Sequence, residues 1–213
     1  MLATVIVHET NDVDARLASI QLDRQVLIDA LLQANMYRAR LTSHHPRLYR
    51  YATLTNETVA ALRDSLVPRG WEKQDEGHYE LVINPELNLA IAVASGDAGT
   101  GEKGRIPSNK SEKGPRTVKA VQDNQTADLF PETLPTASEA EPAVDTWILL
   151  HRLFDSEIRL ELSRPNGYDV SERFVTSWSE RILLGAISLD DNRKSLPTPQ
   201  LPDVDIVVSR KSA

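Results

Sequence analysis

Apolar residues recur at helical spacing between positions 22 and 41. Leu22, Val26, Leu27, Leu31, Leu32 and Met36 fall near one face, with Asn35 as the polar interruption. This stripe predicts a long amphipathic helix. It should end in Thr42-Ser43-His44-His45-Pro46, because the residue before a proline is pushed out of the α region. A second helix is expected to begin near Thr55. Leu54 and Val59 are spaced for a hydrophobic staple around a threonine cap, and Val59, Leu62 and Leu66 continue the stripe until Pro68 and Gly70 stop it.

After Trp71 the period changes from helical to alternating. Tyr79, Leu81 and Ile83 share one face of a predicted strand, residues 84–88 (Asn-Pro-Glu-Leu-Asn) turn the chain, and Leu89, Ile91 and Val93 share a face of the return strand. The opposite face of that second strand is Ala90, Ala92 and Ala94, small enough for close approach, which places the strand inside a sheet. Beyond it glycines stand at 96, 99, 101, 104 and 114, with prolines at 107 and 115, and regular structure should not persist through them. So long a loop in a compact domain is usually functional or disordered. Pro115 suits the first position of a helix over 116–129, with Val118, Val121, Gln125 and Leu129 along one side.

Residues 130–145, rich in proline, alanine and acids, read as a flexible linker. It separates an α+β domain, 1–129, from a β-rich region, 146–213, that can complete the same sheet. In the latter, strands are predicted at 146–154 and 157–164, turning at Asp155-Ser156, with more β structure over 174–189. A last strand at Val204, Ile206 and Val208 follows a proline-rich turn. The expected class is α+β, with N-terminal helices packed on a mostly antiparallel sheet. No internal repeat is evident.

Composition narrows the function classes. The 213 residues contain no cysteine, which excludes disulfides, thiolate metal sites and cysteine nucleophiles and makes the reducing cytoplasm the simplest home. No apolar run has the length of a membrane-spanning helix, and the short apolar start lacks the basic flank of an export signal. No membrane partner is therefore expected. Net charge is −7, but its distribution is uneven: six cations against two acids between 99 and 119 make that stretch +4 on a body of −11. The basic loop, 95–119, is the chain's one chemically unusual segment.

Its first part, Gly96-Asp-Ala-Gly-Thr-Gly-Glu-Lys103, imitates a nucleotide-binding P-loop but fails in detail. Glu102 separates the lysine from Gly101, no Ser or Thr follows to hold magnesium, and Pro107 blocks an immediate helix. A looser reading survives, in which glycine-rich backbone amides form an anion-binding nest and the start of the 116–129 helix offers free N–H groups. Gly96, Gly99, Thr100, Gly101, Lys103, Arg105, Lys110, Lys113, Arg116 and Lys119 are then the candidate phosphate or nucleic-acid ligands. The plain alternative is a solvated surface loop whose cations balance an acidic body. The loop lacks the aromatics of a base-stacking platform, so contact with the phosphate backbone is the expected mode.

Asp97, at the end of a predicted buried strand, is the one candidate catalytic acid. It has no second carboxylate and lysine at nuclease-like spacing after it, so an Asx-turn is the simpler role. His44 and His45 are adjacent and lack further ligands, so no metal site and no cofactor are predicted. Arg38, Arg40, Arg47 and Arg50, interleaved with Tyr49 and Tyr51, form a second basic patch, able to extend a phosphate-tracking surface if the fold brings it beside the loop. The order helix, helix, hairpin resembles a winged helix, but the candidate recognition segment (Asn56, Glu57, Arg63, Asp64) is acidic. Trp71, Trp147 and Trp178 read as core anchors, and no hydrolase, zincin or dinucleotide fingerprint occurs.

Residues 89–117 (LAIAVASGDAGTG, then IPSNKSEKGPRT), with Leu66-Val-Pro-Arg-Gly-Trp71, resemble an uncharacterised group of bacterial proteins often seen on plasmids and other mobile elements. The resemblance covers most of the chain and transfers no activity. It implies a bacterial cytoplasmic setting and a role in defence, plasmid maintenance or DNA handling. The leading expectation is an accessory protein that binds a phosphate-bearing partner, nucleic acid first, through 96–119. The rivals are an antitoxin-like or complex-forming subunit whose partner is encoded nearby, and a nucleotide- or nucleic-acid-processing enzyme that uses Asp97.

Overall fold

A computed structural model describes residues 3–77, 79–129 and 143–189. Its elements, in chain order, are β1 (Val5–Val7), α1 (Thr10–Ser19), α2 (Arg24–Ala39), α3 (Arg47–Leu66), a 3-10 turn (Val67–Arg69), β2 (Glu72–Glu76), β3 (Tyr79–Asn84), β4 (Leu89–Ser95), α4 (Pro115–Leu129), β5 (Asp145–Leu153), β6 (Glu157–Asp169) and β7 (Phe174–Ser188). The strands form one seven-stranded sheet in the order β1-β7-β6-β5-β4-β3-β2. β4 pairs with β5, and β1 with β7, in parallel; the other neighbours are antiparallel. The class is α+β. Most of the predicted linker, residues 130–142, and the predicted last strand at 204–208 lie outside the described residues.

The first helical stripe forms α2, which starts where Asp23 accepts a hydrogen bond from Gln25 N (2.7 Å). Its buried face is Val26, Leu27, Ala30, Leu31 and Ala34, whereas Met36 is 48% exposed. Two alanines replace the larger residues the periodicity favoured, and small side chains let α3 pack closely against α2.

α3 corrects the second expectation. It starts at Arg47, eight residues before Thr55, with Pro46 at its N-cap and Arg50 N bonded to Pro46 O (3.1 Å). α2 already ends at Ala39, before the expected breaker cluster, and because a proline forces out only the residue before it, Pro46 can open the next helix. Thr55, which resembles a cap, is internal to α3, as are Thr53 and Thr58, whose hydroxyls return to the carbonyls of Tyr49 and Leu54 (both 2.6 Å). Thr55 points into the site described below. The helix stops as expected at Pro68 and Gly70, the latter at φ +93°.

β3 and β4 form the predicted hairpin, whose turn is held by Asn84 Oδ1 accepting the amides of Glu86 and Leu87. They are interior strands of the large sheet, with β2 beyond β3, so the winged-helix layout does not hold. On one sheet face, α1, α2 and α3 bury the main core, including Leu27, Leu31, Leu62, Ile91, Trp147, Leu149, Leu160 and Ile182. The other face carries a smaller cluster of Ala92, Ala94, Ile148, Leu150, Val175 and Trp178. There Trp178 donates Nε1–H to Pro107 O (2.8 Å), so residues 96–114 roof part of this second cluster.

The connection from β4 through residues 96–114 and α4 to β5 is a crossover between parallel strands. α4 is fixed by buried Asn124, which donates to the carbonyls of Thr146 and Pro165 and accepts from Thr146 N (2.9–3.0 Å). Arg164 adds ion pairs to Asp128 and Asp145. The carboxyl ends of β4 and β5 consequently lie side by side, with Ser95 in register with His151.

Candidate anion-binding cleft

The segment after β4 leaves and returns at the same place. Gly96 N donates to His151 O (2.9 Å), Lys110 N to Ser95 O (2.8 Å), and Gly96 pairs with Asn109 in an isolated antiparallel bridge. The excursion between is bonded onto the sheet beneath it. Gly101 N donates to Glu161 Oε2 (2.8 Å), and Arg181 donates to the carbonyls of Arg105 (2.7 Å) and Glu102 (3.1 Å). Glu161 and Arg181 are themselves an ion pair at 2.6 Å, 0% and 2% exposed. Arg159 pairs with Glu102 as well.

These contacts assign the predicted nest residues to the fold of the loop. Gly99 N donates to Asp97 Oδ1 (2.9 Å), the Asx-turn expected of Asp97, and Gly101 N is taken by Glu161. Gly101 sits at φ +74°, and a Cβ on Gly96 would stand 2.0 Å from the Oγ1 of buried Thr100. The glycines thus serve close packing and a left-handed turn. Both amides face internal carboxylates.

The cations predicted as one patch are dispersed. Lys103 donates to His8 Nε2 (2.6 Å) near β1, Arg105 is exposed, and Lys119 pairs with Asp123 (2.8 Å). Arg116 lies alongside Gly77. Lys113 is half-buried; desolvation lowers its pKa, with Glu80 opposing. Lys110 alone among them enters the cleft at the ends of β4 and β5.

That cleft, of about 200 Å³, has Ser95, Gly96 and His151 at its strand ends. Four cations from four elements line it: Arg38 from α2, Arg50 from α3, Lys110 from the loop and Arg152 from β5. No Asp or Glu is among the described residues lining it. Arg38, held by Asn35 Oδ1 (2.9 Å), has its pKa lowered by burial, and the buried Nε of Arg152 has no hydrogen-bond partner among the described residues. The fold therefore brings part of the second basic patch, Arg38 and Arg50, beside Lys110, one of the cations of the long loop.

His151 is buried, and its pKa is pushed down to about 4, first by desolvation and then by the charges of Lys113 and Lys110. It is neutral at pH 7. Its Nε2 shares a hydrogen bond with Thr55 Oγ1 (3.0 Å), which is 3.4 Å from Ser95 Oγ. His151, Arg152 and Ser95 were not singled out as site residues in the sequence. The available signal was a His-Arg pair closing a run of apolar strand residues, and its value depends on a parallel partner that alternation does not reveal.

Among the described residues, no group of three or more acids and histidines is placed to hold a metal ion, and no helix is long and apolar enough to cross a membrane. A crossover pair of parallel strands with a polar cleft at the carboxyl ends defines a site type that α/β sheets use for ligands. No protein-family model, curated protein or solved structure matches the chain.

Proposed function

We propose that the protein binds a phosphate-bearing partner, nucleic acid first, in the cleft at the carboxyl ends of β4 and β5. The observation that carries this reading is the convergence of Arg38, Arg50, Lys110 and Arg152 on one cleft whose described lining holds no carboxylate. At a separation of about 6 Å and an effective dielectric constant of about 20, two like charges repel by roughly 3 kcal/mol. An anion seated between them converts that cost into attraction, and guanidinium groups suit phosphate oxygens through paired N–H donors. Of the cations between 99 and 119, Lys110 is the one that adds its charge to this cleft.

In the mobile-element or defence setting that the resemblance implies, such a protein acts as an accessory binder of nucleic acid. The enzyme reading built on Asp97 has less to rest on, because that carboxylate is engaged with Gly99 N. The complex-subunit reading loses the premise of a loop that orders only against a partner, since Gly101, Glu102 and Arg105 are bonded to buried Glu161 and Arg181.

The test is fluorescence anisotropy with single- and double-stranded oligonucleotides over a salt series. With four cations engaged, log K against log salt should fall with a slope of about −3 for single strands, and Arg50→Ala should reduce that slope by about 0.7. Lys103→Ala with Arg105→Ala, outside the cleft, should leave affinity within about twofold. Absence of binding, or binding indifferent to both salt and Arg50→Ala, overturns the proposal.

A further inference from the structure

We infer that the cleft is specific for a terminal phosphate monoester, the phosphorylated end of a nucleic-acid strand, and not for the phosphodiesters along its length. This rests on the phosphate-binding reading above and adds the ligand class. The first argument is arrangement. A surface that tracks a backbone spreads its cations along a groove so that each meets one singly charged phosphate. Here Arg38, Arg50, Lys110 and Arg152 come from four separate elements to one cleft. A phosphate monoester carries about −1.5 to −2 at pH 7 with three acceptor oxygens, so it alone concentrates enough charge and enough acceptors at one point to answer such a cluster.

The second argument is size. Sites that enclose a drug-sized ligand measure roughly 300–1,000 Å³. This cleft measures about 200 Å³, which suits a phosphoryl group with its ester oxygen and leaves the nucleoside outside. The third is the floor. Ser95 and His151 stand in register at the strand ends, tied through Thr55, and Gly96 N is bonded to His151 O, so the main chain closes the cleft behind them. A strand cannot pass through a closed floor, whereas its end can point into it. Ser95 Oγ and the guanidinium of Arg152, both lining the cleft, are donors of the kind a monoester oxygen takes.

The experiment compares one internally labelled single-stranded oligonucleotide in three forms, with a 5′-phosphate, with a 3′-phosphate, and with hydroxyls at both ends, on the full chain. One phosphorylated form should bind about tenfold or more tighter than the hydroxyl form, the worth of one charge-assisted hydrogen bond. The advantage should collapse in Arg152→Gln, and in Arg50→Ala, whose exposed position leaves the fold intact. Adenosine monophosphate should compete for the same site; if it displaces the phosphorylated strand at equal concentration, the monoester class stands and the free nucleotide is its source. Equal binding of all three forms, still salt-dependent and weakened by Arg50→Ala, overturns the terminal-phosphate inference and leaves the phosphate-binding reading standing. No binding of any form removes both.

Discussion

Replacing Glu161 by glutamine keeps the shape of the side chain and removes its charge, in a buried ion pair that also holds the loop. The two carboxylate oxygens accept four hydrogen bonds: Oε1 from Arg181 Nε (3.0 Å) and Ser163 Oγ (2.7 Å), Oε2 from Arg181 Nη2 (2.6 Å) and Gly101 N (2.8 Å). An amide turns one of those oxygens into a donor facing donors. Ser163 can rotate to accept, but Arg181 or Gly101 cannot. Arg181, 2% exposed, is then a buried cation without its counter-charge, a situation that costs about 3–5 kcal/mol. At a urea slope of about 2 kcal/mol/M, Glu161→Gln should lower the unfolding midpoint by about 2 M, followed by tryptophan fluorescence. The same change unfastens the loop, since the pair holds Gly101 N and the carbonyls of Glu102 and Arg105. Trypsin should therefore cut faster after exposed Lys103 and Arg105 in the variant under native conditions. The double replacement Glu161→Gln, Arg181→Met should cost less than the sum of its parts by roughly 0.5–3 kcal/mol. A midpoint within about 0.5 M of the parent, with unchanged cleavage in the loop, would refute the assignment of Glu161 and Arg181 as its anchor.

His151 gives a pH prediction. Its folded pKa, pushed down to about 4, lies below the ordinary histidine value, so the unfolded chain takes up the proton first. The stability tied to the neutral ring is complete above about pH 6.5 and is lost as pH falls towards 4, by up to about 3 kcal/mol in total. Urea midpoints at pH 7, 6 and 5 should show this fall, and His151→Gln should flatten it. Gly96→Ala puts a methyl 2.0 Å from Thr100 Oγ1, displacing that buried side chain; a loss of about 1–3 kcal/mol is expected in the same assay.

Where local periodicity was strong, the elements could be read directly. α2, the β3–β4 hairpin, the β5–β6 pair and the start of α4 at Pro115 follow from stripes, alternation and breakers that act over a few residues. β1 has only three residues, and α1 buries only Val13 and Leu17, so each leaves a pattern too short to stand out. β2, Glu-Lys-Gln-Asp-Glu, has no apolar residue and is a strand because β3 offers it an edge to pair with. α3 begins eight residues before the start its sequence suggests, because Thr55 imitates a cap although its hydroxyl serves His151 instead. The polar partners 60 and 20 residues apart that hold the loop, Gly101 with Glu161 and Glu161 with Arg181, leave no local trace.

By itself the sequence determined the class of fold, the order of most elements, and the concentration of positive charge between 99 and 119, because composition and short-range periodicity are local quantities. Only the tertiary structure decided what that charge can do. The parallel pairing of β4 with β5 sets Ser95 against His151, and the packing of α2 and α3 delivers Arg38 and Arg50 to Lys110 and Arg152. The physical reason is that a cluster of like charges is held together by hydrophobic burial elsewhere: the main core beneath α1–α3 supplies the free energy that keeps mutually repelling side chains in one cleft.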